Sequence, residues 1–132
     1  MFENKTTIRV RYNETDQMSY VHHGNYASFF EMGRLEWLRN RGISYKEMEE
    51  NGIMLPVYSL STRFVSPAKY DDLLTISTRL KETPTVRISF RYDIHNQAGK
   101  LIAQGDTTLI FVNMKSGRPM KVPQYILDLL KE

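Results

Sequence analysis

The stretch Tyr26-Ala27-Ser28-Phe29-Phe30-Glu31-Met32-Gly33-Arg34-Leu35-Glu36-Trp37-Leu38-Arg39-Asn40-Arg41 decides the fold, because the period of the chain changes there from two to helical. Tyr26, Phe30, Gly33 and Trp37 fall on one stripe, and Ala27, Phe29 and Leu38 widen it. So wide an apolar face predicts a helix covered on several sides. Gly33 costs propensity at mid-helix, and close approach of another backbone is the expected compensation. Gly42 ends the helix. Ser44 with Glu47 resembles a capping box, opening a short second helix that closes at Asn51-Gly52.

Before the helix, Thr7 to Tyr12 alternates polar and apolar, the pattern of a half-buried first strand. Asn13 to Val21 breaks that pattern as a polar loop, and Gly24-Asn25 marks the helix start. Beyond Pro56 period two returns. Tyr58, Leu60, Thr62 and Phe64 share one face, as do Leu74, Ile76, Thr78 and Leu80, and then Val86, Ile88, Phe90, Tyr92 and Ile94. Leu101 to Val112 is a longer run containing Gly105, which suits a bent or bulged fifth strand. Glu82 to Thr85 and His95 to Lys100 are too short for crossover helices, so the strands they join are antiparallel. After Pro119 and Pro123 comes a last amphipathic helix with Ile126, Leu127, Leu129 and Leu130. The class is α+β: a curved antiparallel sheet of about five strands, read as a meander, around a long central helix. Residues 1–132 form one domain.

Composition narrows the function. The 132 residues hold 18 Lys and Arg against 15 Asp and Glu, a net charge of +3 spread along the chain. With no recognisable reader motif, this disfavours nucleic-acid binding. Cysteine is absent, which excludes disulfides, Cys-ligated metals and a cysteine nucleophile. No signal sequence or bilayer-length apolar run is present, so a soluble, cytoplasmic protein without membrane insertion is expected. A chain this short leaves the other sheet face and the helix ends partly uncovered, which points to a homo-oligomer, a homodimer or homotetramer.

Chemistry concentrates between the first strand and the long helix, where Tyr12, Asp16, Tyr20, His22, His23 and Tyr26 crowd together. A carboxylate attacks an acyl carbon or takes a proton from water, while amides at a helix N-terminus polarise a carbonyl. Asp16 and the Gly24 region supply these complementary halves. Asp16 also suits a turn, His23 suits a helix-start donor, with His22 as its competitor, and Tyr12 suits packing at a strand end. A zinc site from Asp16, His22 and His23 is disfavoured, because adjacent His side chains diverge and no HExxH spacing exists. Glu31 either pairs with Arg34 or Arg39 or faces a neighbouring site across a dimer. Arg87 and Arg91 alternate with core residues and point outward, where they suit either plain solvation or contact with anionic phosphates; Lys115, Arg118 and Lys121 form a looser basic patch with the same two readings.

The run from Tyr12 through Asp16 to His23-Gly24-Asn25-Tyr26 resembles the signature of the hotdog-fold acyl-CoA thioesterases, in the 4-hydroxybenzoyl-CoA and Tol-Pal-associated group. Phe64 to Leu74, Gly99 to Gly105 and Ser116-Gly117-Arg118-Pro119 extend the likeness over nearly the whole chain. The resemblance implies a hotdog fold and hydrolysis of an acyl-CoA thioester without cofactor. It implies Asp16 as the catalytic carboxylate, acting as nucleophile or as general base for water, with His23 and Tyr12 orienting water or thioester. Gly24, Asn25, Arg87, Lys115 and Arg118 are the expected substrate contacts, the first two at the oxyanion and the basic residues at the CoA phosphates. Met18-Ser19 departs from the small residues many relatives carry after the Asp, and Met18 is expected to narrow the site. A hotdog dehydratase is disfavoured by the lack of a His-Phe-Pro-like segment. The remaining alternative is a non-catalytic acyl-CoA-binding hotdog module, against which Asp16 itself argues.

Overall fold

The long apolar stretch folds as a helix whose aromatic stripe lies against a sheet. The computed structural model of the chain describes residues 2–131. Helix α1 runs over Asn25–Asn40 and buries Tyr26, Phe29, Phe30, Gly33, Arg34, Trp37 and Leu38. Arg34 is buried where sequence alone reads a polar flank, and Ala27, expected in the apolar face, is exposed. Strands β1 (Glu3–Arg9), β3 (Val57–Phe64), β4 (Leu73–Leu80), β5 (Arg87–His95) and β6 (Leu101–Ile110) form one antiparallel sheet in the order β1-β4-β5-β6-β3. Short β2 (Ile53–Met54) and β7 (Val112–Asn113) pair as a separate ribbon that the sequence reading missed. Helices α2 (Tyr45–Glu50) and α3 (Gln124–Leu129) complete the order.

The class, the strand directions and the helix against one sheet face are as expected; several details differ. The first strand begins at Glu3 and ends at Arg9, because residues 12–14 coil into a 3-10 turn held by Glu14, whose Oε1 accepts from the Arg11 amide at 2.7 Å. Only β4, β5 and β6 are a meander. Strand β3 crosses to pair with β6, leaving β1 and β3 as the two edges.

Glycine explains how helix and sheet approach so closely. A Cβ on Gly33 would sit 2.5 Å from Thr78 Oγ1 and 2.9 Å from Ile76 Cγ2 on β4, so the neighbour is close but is made of side chains rather than the backbone expected from the sequence. The expected bulge of the long strand falls at Ile102, the extra residue between the Ile94–Ala103 and His95–Leu101 pairs, whereas Gly105 pairs in register with Tyr92 and Thr62. A Cβ there would overlap the Phe30 ring, so the glycine makes room for an aromatic. A second irregularity lies in β3, between Val57 and Ser59. It takes Tyr58 out of the face that Leu60, Thr62 and Phe64 share, as one extra residue in a strand must. The opposite face of the sheet is polar, with Ser77, Arg79, Ser89, Arg91, Asp93, Gln104 and Asp106 alternating with the core.

Candidate active site

The polar loop after β1 folds into a tight corner. Thr15 and Val21 face each other across it as an isolated antiparallel bridge, and Val21 in turn donates to Ala68 O at 2.8 Å. Asp16 sits at the tip. Its amide donates to Tyr20 O at 2.8 Å, and its Oδ1 accepts from the amides of Met18 at 2.9 Å and Tyr20 at 3.3 Å. Ser19 turns the chain with φ of 68°. Asp16 is thus both a turn residue and a candidate reactant, because Oδ2 receives no hydrogen bond from the described residues.

The carboxylate faces a cleft of about 320 Å³, lined also by Met18, Tyr20, His23, Tyr26 and Phe64. Helix α1 begins at its edge, so the positive end of a 16-residue dipole lies beside the site. His23 is exposed and stands edge-on to Phe64, with ring centroids 6.4 Å apart. Tyr26 is buried, edge-on to Phe64 at 5.3 Å, and burial pushes its phenol up to about 12, so the group stays a neutral donor at physiological pH. Met18 lines the cleft as expected.

Asp16 and His23 therefore come together, and other expected site residues do not join them. Tyr12 lies outside the cleft, exposed and edge-on to Tyr70 at 5.6 Å. Asn25 uses its side-chain amide to donate to Glu14 O at 2.8 Å, latching the loop to the helix. The Gly24 amide donates to His22 Nδ1 at 3.1 Å, so His22 holds the group expected to meet an oxyanion. Arg87 stacks on Tyr58, 4.6 Å from its ring centroid, at the far end of β3 from Phe64. Six residues of strand put that about 20 Å from the cleft within one chain. Lys115 lines a different cavity beside Glu49 and Glu50, and Arg118 is exposed in the turn after β7; neither lines the Asp16 cleft.

Sequence reasoning missed Phe64, Val65, Ser66 and Pro67 as the opposite wall. Their signal, a Pro after an apolar strand end, reads as a turn, and only the crossover of β3 brings it to the loop. Among the described residues no group of three His, Asp or Glu side chains is placed to hold a metal ion.

The sequence profile of the thioesterase-like superfamily matches residues 10–130. YneP of Bacillus subtilis is 31% identical over 92% of this chain and 88% of its own length. The acyl-CoA thioester hydrolase YbgC of Escherichia coli O157:H7 is 26% identical over 95% of this chain and 93% of its own. Among solved structures, a DHNA-CoA thioesterase from Staphylococcus aureus superposes with a TM-score of 0.92 at 34% identity, covering 97% of this chain and 86% of that one. The strand order, the long helix and the loop before it are those of a hotdog fold, and the chain belongs to the thioesterase-like superfamily.

Proposed function

We propose that this protein hydrolyses acyl-CoA thioesters to the free acid and CoA, with Asp16 supplying the reacting carboxylate. The observation that carries the residue assignment is the Asp16 side chain, which lines the cleft at the head of α1 with one oxygen pinned by two amides and the other without a hydrogen bond from the described residues. In one route Oδ2 attacks the thioester carbon, CoA leaves as the thiolate, and water then cleaves the mixed anhydride. In the other, Oδ2 takes a proton from the water that attacks. Both build negative charge on the carbonyl oxygen, which the α1 dipole and the amides of its first turn stabilise. For Gly24 to donate there, His22 releases its amide. His23 orients the water or the thioester; Tyr12, outside the cleft, is given no part in the step.

The functional unit is at least a homodimer. Support comes from edge strand β3, where Val57, Tyr58, Leu60 and Phe64 are all exposed, an apolar edge that an isolated chain in water does not favour. A cytoplasmic location suits a chain without cysteine, which needs no oxidising compartment.

Thiol release measured over a panel of acyl-CoAs tests the reading. Asp16→Asn keeps the side chain's shape and is expected to lower kcat by about two to four orders of magnitude while CoA still binds. Wild-type turnover in that variant would overturn the assignment. A wild-type protein that binds CoA and releases no thiol from any substrate would be the non-catalytic module.

A further inference from the structure

A second cavity, of about 290 Å³, opens between α1, α2 and the start of β3, lined by Glu31, Arg34, Tyr45, Leu55 and Val57 among others. Arg34 is anomalous there. It is 8% exposed and neighbours the Tyr92 hydroxyl, but its Nη1 is buried with no hydrogen-bond partner and it joins none of the ion pairs among the described residues. A guanidinium cannot shed its charge, so burial with an unpaired donor is costly until an acceptor meets it.

This cavity and the Asp16 cleft are separate, and the helix-facing side of β3 runs between them, a path here termed the trough. On α1, Ala27, Glu31 and Arg34 share a flank, because residues three and four apart in a helix are neighbours. On β3, Val57, Leu60, Thr62 and Phe64 pair with Leu109, Thr107, Gly105 and Ala103, all buried, and so face the helix side of the sheet. Helix α1 packs mainly on β1 and β4, leaving that side of β3 uncovered. Leu60 and Phe64 accordingly remain 44% and 56% exposed. On the strand side Phe64 stands beside Tyr26, and Val57 lines the Arg34 cavity about 20 Å further along β3, so the shorter path from the cleft to the Arg34 side chain follows the helix. Eight helical residues separate Tyr26 from Arg34, a length of about 12 Å.

Resting on the reading of Asp16 above, we propose that the trough holds the acyl group and that Arg34 reads its far end, selecting acyl groups that terminate in a carboxylate. With bonds of about 1.5 Å set zigzag, such a carboxylate reaches Arg34 when the acyl chain has about eight to ten carbons. A carboxylate supplies both the missing acceptor and the counter-charge, which a methyl end cannot and a hydroxyl does only in part. Glu31 is exposed to solvent at the rim, where water screens its repulsion.

Two thioesters of equal length separate the outcomes: suberoyl-CoA, whose acyl group ends in a carboxylate, and octanoyl-CoA, whose acyl group ends in a methyl. Wild-type kcat/KM is expected to favour suberoyl-CoA by about 10- to 100-fold, the worth of a charge-assisted hydrogen bond. Arg34→Met is expected to bring that ratio to one or below, and Arg34→Lys, which keeps the charge but not the fork, to a value between. If Arg34→Met does not fold, the ratio in Arg34→Lys decides. Wild-type enzyme that cleaves octanoyl-CoA at least as well as suberoyl-CoA would overturn the role of Arg34 and leave Asp16 standing. So would variants that lose both substrates equally. Wild-type enzyme that cleaves neither, nor any other acyl-CoA, would overturn the hydrolase reading and this proposal together.

Discussion

His22, which sequence reading treats only as a competitor of His23, holds the Gly24 amide through Nδ1 at 3.1 Å. Removing that ring frees a donor at the helix start, whereas removing His23 takes away a group lining the cleft. His22→Ala is therefore expected to keep or raise kcat, and His23→Ala to lower it by about a hundredfold, the scale of losing one polarising donor. Steady-state kinetics of both variants on one acyl-CoA check this, and a loss confined to His22→Ala would reverse the roles. Tyr26 carries a different signature. Its phenol stands at about 12 in the folded protein because burial disfavours the phenolate. An unfolded chain releases that proton near pH 10, so between about pH 10 and 12 the folded state binds more protons and loses stability as pH rises. Below pH 10 the contribution is fully present. Burial also raises Tyr45, Tyr92 and Tyr125, in the same sense. Urea midpoints at pH 8 and pH 11 should show the fall, and Tyr26→Phe should remove about 1 kcal/mol of it.

Elements approach one another here only as far as their glycines permit. The Phe30 ring occupies the space above Gly105, and Gly33 sits on Thr78 and Ile76. Gly105→Ala forces the ring off its seat and is expected to cost about 1 to 3 kcal/mol, an ordinary overpacking penalty. Chemical denaturation of the variant gives the value, and pairing it with Phe30→Leu should return part of the loss, since the smaller side chain vacates the contact. No return would place the strain elsewhere. That Gly33 needs a close neighbour is legible in the sequence, because glycine at mid-helix has a price and few uses. Gly105 is not, because a glycine in a strand signals a bulge, a bend or a close approach equally well. The bulge at Tyr58 is invisible for a related reason: an alternating pattern stays apolar on every second residue whether or not one residue slips from register.

At the scale of the whole molecule, the dimer proposed above would pair edge strand β3 with its own copy. An antiparallel pair of β3 strands centred between Leu60 and Ser61 would place Val57 of each copy opposite Phe64 of the other. Arg87 of the partner subunit, stacked on its Tyr58, would then stand near this chain's cleft although its own Arg87 is remote. Leu60→Lys puts a charge on the edge and is expected to yield a folded monomer by light scattering and circular dichroism. An undisturbed dimer would move the interface to another surface. Arg87→Ala is expected to raise KM for acyl-CoA by about tenfold with kcat nearly constant, as when binding is lost equally from ground and transition states. Mixing Arg87→Ala chains with Asp16→Asn chains should recover a fraction of wild-type KM. Only a hybrid dimer unites an intact Asp16 with an intact arginine across the interface. No recovery would mean that Arg87 serves its own chain or none.

The amino-acid sequence by itself determined the long helix, the strand alternation, the short antiparallel hairpins and the loop that carries Asp16 and His23. Each of these is written in residues close along the chain, through period, capping and turn chemistry. It could not determine which strand neighbours which, since β3 and β6 meet across some forty residues of chain through backbone hydrogen bonds that any side chains allow. The burial of Arg34, the removal of Tyr12 and Arg87 from the cleft and the wall from Phe64 to Pro67 all follow from that pairing and from the folding around it. Only the tertiary structure decided them, because each depends on distances between segments whose separation no local pattern encodes.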